Sequence, residues 1–377
     1  MEEIDILIIG AGVIGLSVAR ELSQEEKSIA VLEKNNSFGQ ETSSRNSEVI
    51  HGGMYYPGDS LKARLCVDGR HLLYDLCRKN NIACRKTGKF IVAVENSEIA
   101  DLNKLFSQGR INGVEGLEMI SSKKLQEMEP NIQSVFALYS PETGIIDSHG
   151  LMQYFLGSAQ NNGAMIAFDS EVTMIEKTSI GYKVTVRNGK EITEIKARAV
   201  INCAGLDSDT VARMAGIDVT KCNYQLHYCK GQYFRVNASK TKMINHLVYP
   251  VPKPKSGGLG IHATLDLAGS LRLGPDEKYF NNRIKDYFVD ENKRKEFHLS
   301  VKKFLPFIEE NDLIADTSGI RPKLQAEGEG FRDFIIKDES DNGLPGFINL
   351  IGIESPGLTA SLAIAKMVKN MIKECLN

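Results

Sequence analysis

Two sets of residues in this 377-residue chain could do chemistry. The first is Gly10-x-Gly12-x-x-Gly15, which follows the apolar run Ile6-Leu7-Ile8-Ile9 and opens a helical pattern at Val13-Ile14. Gly10 allows a tight turn, Gly12 lets the backbone approach a pyrophosphate, and Gly15 lets helix and strand pack closely. The helix N-terminus then offers N–H groups and a positive dipole end to phosphate. Glu33 ends the next strand, eighteen positions after Gly15, where an acidic side chain can accept hydrogen bonds from an adenosine ribose. The motif binds a dinucleotide and does not separate NAD from FAD. The second set is two histidines and an arginine. His51, in His51-Gly52-Gly53, and His262, in Gly260-Ile261-His262, sit beside glycines. A histidine titrates near neutral pH and can accept a proton. Arg321, in Gly319-Ile320-Arg321-Pro322, offers a bidentate cation for a carboxylate. No nucleophile–base pair, metal-ligand spacing or second phosphate loop accompanies them.

These residues need elements to hold them. An apolar strand from about Ile4, a helix from Val13 and a strand over 28–32 make a β-α-β opening. A donor-rich loop, Thr42-Ser43-Ser44-Arg45-Asn46-Ser47, follows and could bond phosphate and ribityl oxygens. The switch to Val49-Ile50-His51-Gly52-Gly53 marks a chain turning inward. Helical spacing covers 60–80, 97–112, 121–128 and 147–162, with a strand at 89–94. An antiparallel meander spans 171–195 with its turn at Asn188-Gly189. A buried strand then ends in Asn202-Cys203-Ala204-Gly205, with a helix over 207–215. From Lys230 the pattern is strand-rich, including 231–236, 246–250, 259–264 and 270–274, with Pro250, Pro252 and Pro254 marking an edge. The chain closes on a second strand–glycine turn–helix, Gly352 to Thr359 leading into 360–371.

A net charge of −2 offers no basic face for nucleic acid. No apolar run reaches the roughly 18 residues of a membrane span. The seven cysteines contain no C-x-x-C pair, so reduced thiols in a cytoplasmic protein are expected, with a peripheral membrane location left open. The first strand starts too early to leave room for a targeting peptide within this sequence.

Taken together, the chain resembles the D-amino-acid oxidase-like superfamily of FAD-dependent oxidoreductases. The resemblance rests on the glycine motif with Glu33, the meander running into Asn202-Cys203-Ala204-Gly205, and Gly352-Ile353-Glu354-Ser355-Pro356-Gly357-Leu358-Thr359. Within it, the chain is most similar to the L-2-hydroxyglutarate dehydrogenase/oxidase family, through the stretches 45–56, 58–63, 88–93, Tyr249-Pro250-Val251-Pro252, Gly260-Ile261-His262 and Gly274-Pro275. Glu48 stands where that family usually has a small residue, and Glu354-Ser355-Pro356-Gly357 departs from its usual turn.

The resemblance implies an α/β fold: a Rossmann-like, glutathione-reductase-type FAD domain over 1–80, 146–222 and 317–377, with a discontinuous β-rich substrate domain over 81–145 and 223–316. It implies FAD bound by Gly10, Gly12, Val13, Ile14, Gly15, Glu33 and Lys34 at one end. Thr42 through Ser47, Val172, Ala204, Gly205, Arg321, Gly357, Leu358 and Thr359 would contact the rest. It implies oxidation of a small 2-hydroxy acid, with L-2-hydroxyglutarate favoured. His51 and His262 would be the candidate bases, and Arg321 the carboxylate clamp; Tyr55, Lys230 and Lys323 would be secondary substrate contacts. An amino-acid or amine oxidase, a glycerol-3-phosphate dehydrogenase-like enzyme, or a non-catalytic dinucleotide module stay open as alternatives. The electron acceptor is open between oxygen, a quinone and a flavoprotein.

Overall fold

A computed structural model describes residues 2–252 and 260–376. Five strands lie parallel in the order Met165–Ala167, Ile29–Leu32, Glu2–Ile9, Glu191–Asn202 and Leu344–Ile351. The meander Glu171–Thr178, Gly181–Asn188, Glu191–Asn202 joins them, because its long third strand belongs to both. Strand alternation sends Ile6 and Ile8 to one face, where Leu16, Leu73, Phe155 and Val368 from four helices bury them. Those helices are Val13–Leu22, Leu61–Asn80, Ser148–Asn161 and Gly357–Leu376. Leu7 and Ile9 go to the other face, against Val184 and Val211. Burying each such side chain contributes about 1.5–3 kcal/mol.

Glycine is required where the opening strand meets its helix. Gly10 has φ +105°, and a Cβ there would sit 2.5 Å from the Cys203 carbonyl oxygen. A Cβ on Gly15 would fall 1.9 Å from the Gly10 carbonyl oxygen. A buried polar ladder ties the carboxyl ends of the parallel strands together. Asn202 Nδ2 donates to Asn349 Oδ1 at 2.7 Å, and Asn349 Nδ2 donates to Glu339 Oε1 at 2.7 Å. Ligands of parallel sheets bind beyond these carboxyl ends.

A second, largely antiparallel sheet stands over that end. Lys89–Ala93 pairs antiparallel with Phe136–Ser140 and parallel with Leu247–Pro250. His227–Val236 pairs antiparallel with Leu313–Lys323. Phe90, Val92, Phe234, Leu247 and Phe297 form its core. The expected boundary at 317 falls inside the strand Leu313–Lys323, whose last residues reach back to the cavity. Of the strand expected at 259–264, Leu259 lies outside the described residues, as does Pro254, and the strand observed is Ala263–Leu265. The closing helix begins at Gly357 rather than 360, because the turn residues Gly357 and Leu358 already belong to its first turn. Among the described residues no helix is long and apolar enough to cross a membrane.

Candidate active site

A cavity of about 450 Å³ runs from the glycine turn to the underside of the second sheet. At the first end its wall holds Gly10, Gly12, Val13, Ile14, Glu33, Lys34, Thr42 and Ser43. The helix N-terminus is not left open here as the sequence suggests. Val13 N–H donates to Ser43 Oγ at 3.0 Å, and Ala11 N–H donates to Glu33 Oε2 at 2.8 Å. Glu33 Oε1 also accepts from Asn35 N and Nδ2, at 2.9 and 2.8 Å. A carboxylate has about four acceptor positions, so a contact to a ribose adds to these bonds rather than replacing them. Lys34 pairs with Asp207 and, at 3.1 Å, with Glu41, so its charge is matched within the chain.

Further along, the wall passes Arg45, Asn46, Ser47, Val172, Ala204 and Gly205 to Gly357 and Leu358. Arg45 lies 4.1 Å over the Tyr287 ring and its Nε has no partner among the described residues. Gly15, Ser44 and Thr359 are named in the sequence reading but do not line the cavity. Gly15 acts in strand–helix packing. Thr359 Oγ1 accepts from His51 N–H at 3.0 Å and holds that backbone in place.

The other end carries the proton and carboxylate chemistry. His51, His262 and Arg321 all line it: His51 just after the short strand Val49–Ile50, His262 just before Ala263–Leu265, and Arg321 within Leu313–Lys323. His51 Nε2 stands 3.2 Å from Ser355 Oγ, and its buried Nδ1 has no partner among the described residues. Burial, with the Lys89 charge nearby, pushes the His51 imidazolium down to about 3, so the ring is neutral across ordinary pH. The His262 ring stacks on Tyr249 with centroids 3.6 Å apart and planes 11° apart. Arg321 Nη2 lies 3.3 Å from both Glu277 Oε1 and Cys229 Sγ, while its buried Nε has no partner among the described residues. That leaves donors on the guanidinium for a carboxylate.

None of the three secondary candidates lines the cavity. Lys230 donates to Asp286 Oδ2 at 2.8 Å and to the Phe288 carbonyl, which accounts for its charge within the second sheet. Tyr55 lies behind the wall, its hydroxyl buried and without a partner among the described residues. Lys323 sits 3.3 Å from Glu277 and 3.9 Å from Glu354.

Sequence reasoning gave no role to several residues that shape this end. Glu354 lines the cavity and pairs with Lys62 at 3.1 Å. Burial opposes its ionisation, but Lys62, Lys323 and Arg321 outweigh that and hold the carboxyl below its usual range. Glu48 has φ +55° and accepts from Ser148 N–H and Oγ–H at 3.1 and 2.7 Å. Tyr233 hydrogen-bonds Ser47 Oγ at 2.9 Å. Lys89, wholly buried in an otherwise apolar strand, was detectable in principle as the one charge in a run of buried positions.

A family model described as FAD dependent oxidoreductase matches residues 5–371. The chain belongs to that family. It is 40% identical to a protein of Arabidopsis thaliana named L-2-hydroxyglutarate dehydrogenase, mitochondrial, over 98% of this chain and 83% of that one. A Caenorhabditis elegans protein of the same name is 31% identical over 97% of this chain and 92% of its own. Among solved structures, an L-alpha-glycerophosphate oxidase of Mycoplasma pneumoniae with FAD bound superposes with TM-score 0.89 at 28% identity, covering 99% of this chain and 95% of that one. The chain is therefore an FAD-dependent oxidoreductase with an α/β fold. The expectation of a cytoplasmic protein does not stand, because both curated relatives are named as mitochondrial.

The residues present fit FAD. A cavity of this length has a glycine cradle at one end, where a Cβ on Gly12 would lie 2.9 Å from Ser43 Oγ. Along it, the Arg45 and Arg321 guanidinium Nε atoms are buried donors without partners among the described residues.

Proposed function

We propose that this protein oxidises L-2-hydroxyglutarate to 2-oxoglutarate. The observation that carries the reading is the 40% identity to a protein of that activity by name, extending over 98% of the chain. The cavity supports it by gathering His51, His262 and Arg321, which lie far apart in sequence. When bound, FAD supplies the acceptor for the two electrons that leave the α-carbon with its hydrogen. The chain's own residues do the rest. Arg321 holds the 1-carboxylate and so fixes which face of the α-carbon is presented. A neutral histidine takes the hydroxyl proton as the C–O bond gains double-bond character. His51 suits that role because its ring is neutral, one nitrogen is oriented by Ser355 and the other is unpartnered among the described residues. His262, held flat against Tyr249, is the second candidate. The remaining cofactor contacts follow the cavity wall from Gly10 to Leu358. We assign the first sheet and its helices to the FAD domain and the second sheet, with the whole strand Leu313–Lys323, to the substrate domain.

Anaerobic mixing of the yellow holoenzyme with candidate acids tests this. L-2-hydroxyglutarate should bleach the flavin, whereas its D-enantiomer, glycerol 3-phosphate and amino acids should not. Bleaching by glycerol 3-phosphate alone would favour the activity named for the Mycoplasma pneumoniae structure. Bleaching by amino acids alone would replace the hydroxy-acid reading.

A further inference from the structure

Lys89 is a charge given no role above beyond its effect on the His51 ring. It is 0% exposed, and its Nζ has no hydrogen-bond partner among the described residues. The other buried lysines differ in this respect. Lys62, Lys230 and Lys323 each have a carboxylate oxygen nearby, at 3.1, 2.8 and 3.3 Å. Lys89 has instead two aromatic faces, its Nζ lying 4.6 Å from the centre of the Tyr55 ring and 4.5 Å from that of Tyr249. Two other buried polar atoms in this corner, Tyr55 hydroxyl and His51 Nδ1, also lack partners among the described residues. The corner thus holds an ammonium and a hydroxyl donor, and no anion among the described residues. Cys66 does not supply one, because burial pushes its thiol up to about 12. An unmatched buried ammonium is expensive, and such groups mark places where a ligand completes the set.

Tyr249 connects this corner to the active site. It lines the cavity, and it stacks on His262. The Lys89 ammonium therefore stands one aromatic ring behind the cavity wall, on the side away from solvent. The substrate proposed above has two carboxylates, and Arg321 accounts for one.

We propose that Lys89 is a specificity-determining residue, whose charge behind Tyr249 selects dianionic dicarboxylates over monocarboxylates of the same length. This rests on the reading of the substrate as a dicarboxylic hydroxy acid. Unit charges within about 10 Å at an effective dielectric constant of about 20 attract by roughly 1.7 kcal/mol, a preference on the order of tenfold.

The proposal carries its own pH signature. Burial pulls the Lys89 ammonium down to about 7. The dicarboxylate preference should thus be full below pH 7 and fade as pH rises above it, since the ammonium loses its proton. The titratable groups facing Lys89 are Cys66 on the helix Leu61–Asn80, His51 and Tyr55 on the inward turn, and Tyr249 on the neighbouring strand. His51 is pushed down to about 3 and Cys66 up to about 12, and both tyrosines are held above their ordinary range by burial. None of these four titrates between pH 6 and 9, and His262, stacked on Tyr249, is separated from Lys89 by comparing wild type with Lys89→Met, which keeps that histidine.

The test uses FAD-loaded wild type, Lys89→Met and Lys89→Arg, with two unreactive acids, glutarate and valerate. Binding is read from the visible flavin spectrum at pH 6.5 and 8.5. Wild type should prefer glutarate by about tenfold or more at pH 6.5, and by less at pH 8.5. Lys89→Met should bring the ratio near unity with valerate affinity unchanged, and Lys89→Arg should keep the preference at both pH values. Equal weakening of both acids, or a ratio unchanged in Lys89→Met, overturns the proposal. Should Lys89→Met fail to fold, a wild-type ratio that is absent, or flat between the two pH values, overturns it equally. Failure of L-2-hydroxyglutarate to bleach the wild type would sink the substrate reading, while the glutarate-to-valerate ratio still judges Lys89.

Discussion

Replacing Lys89 by methionine should stabilise the ligand-free holoenzyme. Methionine keeps the unbranched stem and removes the ammonium, so the packing between Tyr55 and Tyr249 is largely preserved. The structure sets the magnitude. A lysine held at about 7 instead of 10.5 is a folding penalty on the order of 5 kcal/mol while it stays charged. Two desolvated cation–π contacts return about 1–2 kcal/mol between them, since neither ring is closer than 4.5 Å. The net gain on substitution is then about 3 kcal/mol at pH 6.5. Between pH 7 and 10.5 the unfolded chain keeps a proton that the folded chain has released, so wild-type stability climbs with pH toward that of the variant. Below pH 7 both states are protonated and the gap is constant. Urea unfolding of both proteins at several pH values, each with saturating FAD, measures this directly. A Lys89→Met protein less stable than wild type at pH 6.5, or curves that run parallel from pH 7 to 10, would refute the reasoning. Lys89 would then be a structural contact rather than an unmatched charge.

Glu33→Ala should weaken FAD binding by about 1.5–3 kcal/mol, measured from the fluorescence of released flavin, with acid binding to the remaining holoenzyme unchanged. With His51 neutral down to about 3, a reaction that uses it as base should run at constant rate from pH 5 to 8. A pH-dependent step in stopped-flow flavin bleaching that survives His51→Gln but vanishes in His262→Gln would move the base to His262. Arg321→Met should raise the dissociation constants of glutarate and valerate together, leaving their ratio intact, because both acids carry the carboxylate it holds. A change confined to glutarate would place Arg321 at the distal carboxylate instead.

The parts of the fold legible in sequence are those that local sterics dictate. The backbone at Gly10 and the strand–helix contact at Gly15 admit no side chain, so the motif and its flanks identify the opening unit on their own. The meander was equally readable, since Gly189 with φ +57° closes its two-residue turn. The order of the second sheet was not. Lys89–Ala93 lies parallel to Leu247–Pro250, and no local propensity pairs segments so far apart. The chemistry divides in the same way. His51 was visible as a histidine among glycines, but its neutrality depends on burial and on Lys89, and its orientation on Ser355 and Thr359 from the far end of the chain. Lys230 read as a free cation because its partner Asp286 comes 56 positions later.

The distribution of charge around the cavity explains why Lys89 escaped notice and why it matters. Lys34, Lys62, Lys230 and Lys323 each face a carboxylate, so each is settled before any ligand arrives. Removing one member of such a pair leaves the other buried and alone, which is destabilising whatever the ligand. Arg321 is partly matched, with Glu277 on one nitrogen and Nε unpartnered among the described residues. Lys89 has no carboxylate at all among its described neighbours. A monoanion needs only the open side of Arg321. A dianion bound beyond it finds a second positive potential at the inner wall, transmitted through a ring that is itself fixed against His262. The selection therefore comes without a hydrogen bond to the distal carboxylate, and it is switched by the protonation of one buried amine.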